Sequence, residues 1–120
     1  MLAKANRIVT ATDYRRLVRS GRRARGSVLL AYARRTRPDE PLRVGVIVAR
    51  TVGNAVVRNR VRRRIKAVGW SLAQEVRGMD VVIRALPSAA GADFAAIDSE
   101  VRRLAGELAA SGEGARTARR

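Results

Sequence analysis

The segment from Asn54 to Glu75 constrains the fold more than any other part of the chain. Val57, Val61, Ile65, Val68 and Leu72 recur at spacings of 4, 4, 3 and 4, which on a helical wheel gathers them into an arc of about 80°. The rest of the perimeter carries Arg58, Arg60, Arg62, Arg63, Arg64 and Lys66, and no acidic residue lies between Asn54 and Gln74. Arg58–Arg62 and Arg62–Lys66 are like-charge i, i+4 pairs, each costing a few tenths of a kcal/mol. Such a helix can bury one stripe only. It must lie on another layer and leave a cationic surface outward, either simply solvated or relieved by a polyanion. Gly53 allows a sharp entry, and Asn54 suits the N-cap. The Asn59 amide sits inside the cationic surface, where it can bond a phosphate, a sugar or a base edge.

The remaining elements supply that second layer. Tyr14, Leu17 and Val18 give one apolar face to a short helix over about 12–20, capped by Thr12 or Asp13 and ended by Gly21. Residues 1–10 read as an extended polar arm, and Arg22, Arg23 and Arg25 as an arginine-rich link. Strands are predicted at 27–34 (SVLLAYAR), 43–50 (RVGVIVAR) and 79–86 (MDVVIRAL). The short link with Pro38 and Pro41 predicts that the first two pair as an antiparallel hairpin. Phe94, Ile97, Val101, Leu104 and Leu108 form the core-facing stripe of a last helix over 92–110. The sum is a small α/β (α+β) two-layer sandwich, with helices on a mostly antiparallel sheet, in the order α-β-β-α-β-α. Residues 1–110 form a single domain, and 111–120 (SGEGARTARR) read as a disordered basic tail.

Charge and inventory bound the function. Lys and Arg number 26 and Asp and Glu number 10 in 120 residues, a formal net charge of +16. With 47% hydrophobic residues the chain is a folded domain, and its excess charge calls for a polyanionic partner. Only Lys4 and Lys66 are lysines; the arginines suit phosphate, because the guanidinium fork donates bidentately. The chain has no His and no Cys. This removes disulfides, thiolate metal sites and the commonest general base, and no catalytic or metal-ligating residue is assigned. No apolar run reaches the roughly 20 residues of a membrane span, and the N-terminus lacks a secretory core. A cytoplasmic location is expected.

The sequence GNAVVRNRVRRRIK (residues 53–66) resembles the signature of the protein subunit of bacterial ribonuclease P, a Gly-x-Ala-Val-x-Arg-Asn-Arg core followed by further basic residues. NRIVTATDYRRLVRSG, LLAYAR, RVGVIVAR and DVVIRALPSAA resemble the flanking segments of that family, so the likeness covers most of the chain apart from the tail. The resemblance implies a protein that binds the catalytic RNA of ribonuclease P. It would assist removal of the 5′ leader from precursor transfer RNA, with the hydrolysis performed by the RNA and its magnesium ions. It also implies a left-handed βαβ crossover. Carried over residue by residue, the catalytic RNA would be met by Arg58, Asn59, Arg60, Arg62, Arg63, Arg64 and Lys66, with Asn54 and Arg50 at the helix entry. A cleft for the single-stranded leader would be lined by Tyr14, Val18 and Tyr32. Val18 stands where many members have an aromatic residue, and Thr51 where a lysine is common.

Three other readings share the composition. A ribosomal or other structural RNA-binding protein has the same charge and size. It lacks the RNR-type motif in register with the flanking strands. A DNA-binding domain would line one edge of its helix with cations, whereas here they wrap the helix. A nuclease acting alone would need paired carboxylates, and the sequence offers only Asp80 beside a strand.

Overall fold

The computed structural model describes residues 2–118, with side chains described to residue 110. Seven main elements follow in order: α1 (Ala11–Ser20), β1 (Arg22–Arg25), β2 (Leu29–Arg35), β3 (Arg43–Ile47), α2 (Ala55–Leu72), β4 (Met79–Ala85) and α3 (Phe94–Ala118). Short 3-10 turns occupy Lys4–Asn6, Arg50–Val52 and Pro87–Gly91.

The α+β class is the one expected, but the sheet is not built on the expected hairpin. Its order is β1-β2-β4-β3, with β2 antiparallel to β4 and β3 parallel to it. β4 takes the centre because it is buried on both faces; only Arg84 of its seven residues is exposed, and its buried Asp80 is paired with arginine. The link over 36–42 therefore passes the start of β4 instead of turning back on β2. Thr36 N–H donates to the Gly78 carbonyl (2.8 Å), and Gly78 N–H to the Glu40 carbonyl (2.8 Å). Gly78 has φ 74°, and a Cβ there would lie 3.1 Å from Pro38 Cα, so the passage requires glycine. The arginine-rich stretch at 22–25 is not a link. It is an edge strand, paired from Arg22↔Ala33 to Arg25↔Leu30.

Two cores lie on opposite faces of the sheet. One joins α2 and α3 to Leu29, Ala31, Ala33, Val44, Val81, Ile83 and Ala85. The other places α1 over Tyr32 and Val82 through Leu17 and Tyr14. Alternation along the strands decides which residue enters which core. The α2 stripe docks as expected, with Val61, Ile65 and Val68 fully buried. In α3, Ile97, Val101, Leu104 and Leu108 are buried, but Phe94, the first residue of the helix, is 46% exposed. The cap of α1 is Thr10, whose hydroxyl accepts from Asp13 N–H, and not Thr12 or Asp13. The arm is docked: Leu2 and Ile8 are buried, and Ile8 N–H donates to the Val44 carbonyl (3.0 Å). The backbone of α3 continues past Ala110 to Ala118. Of the expected tail, residues 119–120 and the side chains from 111 onward lie outside the described residues.

The hand of the β3-α2-β4 crossover follows from two contacts. Val44 faces α2, where a Cβ on Gly69 would lie 3.4 Å from Val44 Cγ1. Its carbonyl points to Ile8, away from β4. In an extended chain of L-residues running upward, a side chain toward the viewer sends that residue's N–H and C=O to the right. Seen from α2, the arm is therefore right of β3 and β4 is left of it. Leu29, on the same face and bonded to Gly26 N–H on the β1 side, gives the same order. The crossover is left-handed, as the family resemblance implies and against the usual preference.

Glu100 fixes α3 to the sheet. Its carboxylate is buried (7% exposed) and accepts from Ser27 N–H (3.1 Å), Ser27 Oγ (2.9 Å), Val28 N–H (2.8 Å) and Leu29 N–H (2.7 Å). A Cβ on Gly26 would collide with that carboxyl. Burial pushes the Glu100 pKa up, but the bonds from Val28, Ser27 and Leu29 outweigh it and hold the group below its ordinary 4.5. A depressed carboxylate adds stability that is complete above the unfolded value and drains as the pH falls through the folded one. Replacement Glu100→Ala is expected to cost on the order of 2–4 kcal/mol, since buried amides lose their acceptor. The melting-temperature gap between the parent chain and Glu100→Gln should be wide near neutrality and close on acidification below about pH 4.5; a constant gap would contradict the assignment.

Candidate nucleic-acid interface

α2 begins where Asn54 Oδ1 accepts from Val57 N–H (3.0 Å), so this side chain serves the cap while remaining exposed. A Cβ on Gly53 would come within 2.9 Å of Val57, so the entry needs glycine for space. The cations of α2 divide into two groups. Arg60 and Arg64 reach across to carbonyls at the entry of α3, Ala90 (3.4 Å) and Ala92 (2.7 Å). The outward group is Arg58, Arg62, Arg63 and Lys66, with the Asn59 amide among them. Arg58 Nε donates to the Gly53 carbonyl (3.1 Å) and Arg62 Nη1 to Asn59 Oδ1 (2.8 Å); Arg63 and Lys66 are exposed. Arg50 is exposed in the 3-10 turn before the helix. The structure thus brings the predicted RNA-binding residues onto one element and its entry.

Beside α2 runs the N-terminal arm. Leu2, Arg7, Arg63, Lys66 and Ala67 line a groove between them, with an apolar floor and cationic rims. Trp70, one turn further along α2, is 44% exposed.

The predicted cleft residues lie on the other face of the sheet, under and along α1. Tyr14, Arg15, Val18, Arg19 and Ile47 line a shallow groove. Tyr14 is half-buried; its hydroxyl oxygen accepts from Val46 N–H (3.1 Å), and a Cβ on Gly45 would sit 2.7 Å from its ring. Val18 lies at the rim, 36% exposed. Tyr32 is 5% exposed and supports the floor from beneath α1. Arg15 and Arg19, which sequence reasoning passed over, share this rim. Their i, i+4 spacing beside Tyr14 and Val18 was the available signal.

Below α1, Asp80 is 1% exposed and held by two bonds from Arg43, Nε to Oδ1 (3.0 Å) and Nη2 to Oδ2 (2.7 Å), with Arg34 Nε at 3.5 Å. Arg43 also reaches Asp13 on α1 (3.4 Å). The bond to Asp80 raises the Arg43 pKa above its ordinary value. Asp80 is therefore committed to arginine. Among the described residues, no three His, Cys, Asp or Glu side chains gather as metal ligands, and no helix is long and apolar enough to cross a membrane.

The Ribonuclease P family model matches residues 2–109. The chain belongs to the ribonuclease P protein family. It is 46% identical over 118 residues to the "Ribonuclease P protein component" of Arthrobacter sp. (strain FB24), covering 90% of this chain and 86% of that protein. Identity to the protein of the same description in Mycobacterium bovis is 40% over 115 residues, covering 92% and 98%. The fold matches the Staphylococcus aureus RNase P protein with a TM-score of 0.77 at 22% identity, covering 86% of this chain and 94% of that one. For the Thermotoga maritima RNase P protein the TM-score is 0.69 at 17% identity, covering 81% and 92%.

The contact between Gly45 and Tyr14 can be tested. Gly45→Ala must displace the Tyr14 ring and break its bond to Val46, an overpacking cost of about 1–3 kcal/mol. A melting temperature equal to that of the parent chain would show that α1 does not sit as described.

Proposed function

We propose that this ribonuclease P family member supplies two separate RNA-binding surfaces, one on each face of its sheet. α2 and its entry meet the catalytic RNA through Arg58, Asn59, Arg60, Arg62, Arg63, Arg64 and Lys66, with Arg50 and Asn54. The groove along α1 takes the single-stranded leader of the precursor transfer RNA, with Tyr14 and Val18 at its wall and Tyr32 beneath. Residues 1–110 act as one RNA-binding domain. As a ribonuclease P protein the chain acts with the ribonuclease P RNA on precursor transfer RNA, in removal of the 5′ leader. The observation that carries the assignment of surfaces is the outward face of α2, which is cationic from Arg58 to Lys66, free of acidic residues and carried on a chain of +16.

The hydrolysis belongs to the RNA and its magnesium ions, and the protein alone is inactive. Two features support this division. The chain has no His and no Cys, and the two carboxylates buried among the described residues, Asp80 and Glu100, are taken up by arginine and by backbone amides. The complex works in the cytoplasm.

Reconstitution is the test. The chain is mixed with a bacterial ribonuclease P RNA at low magnesium, and cleavage of precursor transfer RNA is followed. Strong stimulation over RNA alone, with no cleavage by the protein alone, is expected. Absence of stimulation with tight binding to ribosomal RNA would favour a structural RNA-binding role instead. Arg62→Ala and Arg63→Ala should weaken assembly without lowering the melting temperature, each lowering the log–log salt slope by about 1. Loss of the thermal transition would assign these residues to the fold.

A further inference from the structure

The chain's single tryptophan stands in an unusual place. Trp70 is 44% exposed, while its neighbours Val68 and Gly69 are buried. The helix backbone is thus docked at this turn, and the indole faces away from the core. The spacing Arg63, Lys66, Trp70 is i, i+3, i+7, which puts the ring on the same stripe as two exposed cations. The stripe borders the groove whose walls are Leu2, Arg7, Arg63, Lys66 and Ala67. Gln74, one turn on, is also exposed and donates to the Trp70 carbonyl (3.3 Å). The nearest acid in sequence, Glu75, is engaged by Arg102 of α3 at 3.3 Å.

We infer that Trp70 is a base-stacking platform at the end of the cationic face of α2, taking an unpaired base of the ribonuclease P RNA. The neighbouring Lys66 and Arg63 hold the phosphates on either side. The inference rests on the reading of α2 as the face that meets this RNA, and it extends that face by a turn with a different kind of contact. Charge complementarity selects the occupant: an indole bordered by Lys and Arg with no acid on its stripe favours a polyanion with π-faces. Stacking on an aromatic ring is tolerant of base identity and releases no counterions, so it adds affinity without adding salt dependence.

The single indole makes the test direct, because all tryptophan fluorescence comes from residue 70. A transcript of a bacterial ribonuclease P RNA is titrated into the full chain, with binding measured in parallel by filter retention. Fluorescence should change with binding and saturate at the same RNA concentration. Trp70→Ala should weaken binding roughly tenfold with an unchanged log–log salt slope, and Trp70→Phe should recover most of the loss. An unaltered indole signal at full RNA occupancy would overturn the inference and leave the α2 reading intact. So would equal affinity for Trp70→Ala, and either result would turn attention to a protein partner for the ring. Failure of the parent chain to bind this RNA would overturn the α2 reading itself, and the inference with it.

Discussion

Two buried carboxylates hold together a chain that otherwise repels itself. Asp80 lies on the α1 face of the sheet, where Arg43 and Arg34 close on it and Arg43 extends the tie to Asp13. Glu100 lies on the α3 side and gathers the start of β2 onto the helix through four short bonds. An uncompensated buried charge costs several kcal/mol, so neither site tolerates loss of its partners. The other acids among the described residues also serve the fold. Asp93 accepts from Ala96 N–H at the start of α3, Glu75 and Asp98 hold Arg102, and Glu107 holds Arg103. Apart from Asp39 and Glu40 in the link before β3, these negative charges are thus spent inside or between elements, and the outward side of α2 is left without any. The cationic face is a product of where the acids are placed as much as of how many arginines there are.

Legibility in the sequence tracked how local each determinant was. The α2 stripe and its Asn54 cap were readable because both depend on residues within a few positions of one another. The hairpin between the second and third strands was misread because adjacency in sequence competes with burial. β4, buried on both faces, takes the centre and draws β2 and β3 to its two sides. β1 carried no alternation of apolar and polar residues, since its Arg-Arg-Ala-Arg is held by backbone pairing to β2 and by the turn that Glu100 secures. The exposure of Phe94 and the depth of Tyr32 were illegible for a related reason. Whether an aromatic residue is covered depends on which helix lies over it, and that follows only from the assembled sheet. The burial of Tyr32 under α1 leaves the rim of that groove to Tyr14, Val18, Arg15 and Arg19.

The left-handed crossover has a consequence for the two candidate surfaces. Passing from β3 through α2 to β4 on the left keeps α2 against the β3 edge, beside the docked arm, while α1 covers the opposite face. A ligand on α2 and one along α1 are then separated by the thickness of the sheet. Simultaneous occupancy requires no rearrangement, and each surface keeps its own cations. That geometry suits a protein that must hold one RNA while another is exchanged.

The energetics of α2 point the same way. Within the helix, the like-charge pairs Arg58–Arg62 and Arg62–Lys66 oppose folding by a few tenths of a kcal/mol each, and only partial relief comes from Asn59 and the Gly53 carbonyl. The fully buried Val61, Ile65 and Val68 outweigh this many times over, at roughly 1.5–3 kcal/mol per side chain. The helix is therefore held in place by its apolar stripe and needs no phosphate to form. A polyanion on this face would meet a surface already ordered, so its binding would lose little to folding and the released repulsion would add to affinity. A cationic segment that became ordered only on binding would spend much of that gain on its own conformational entropy.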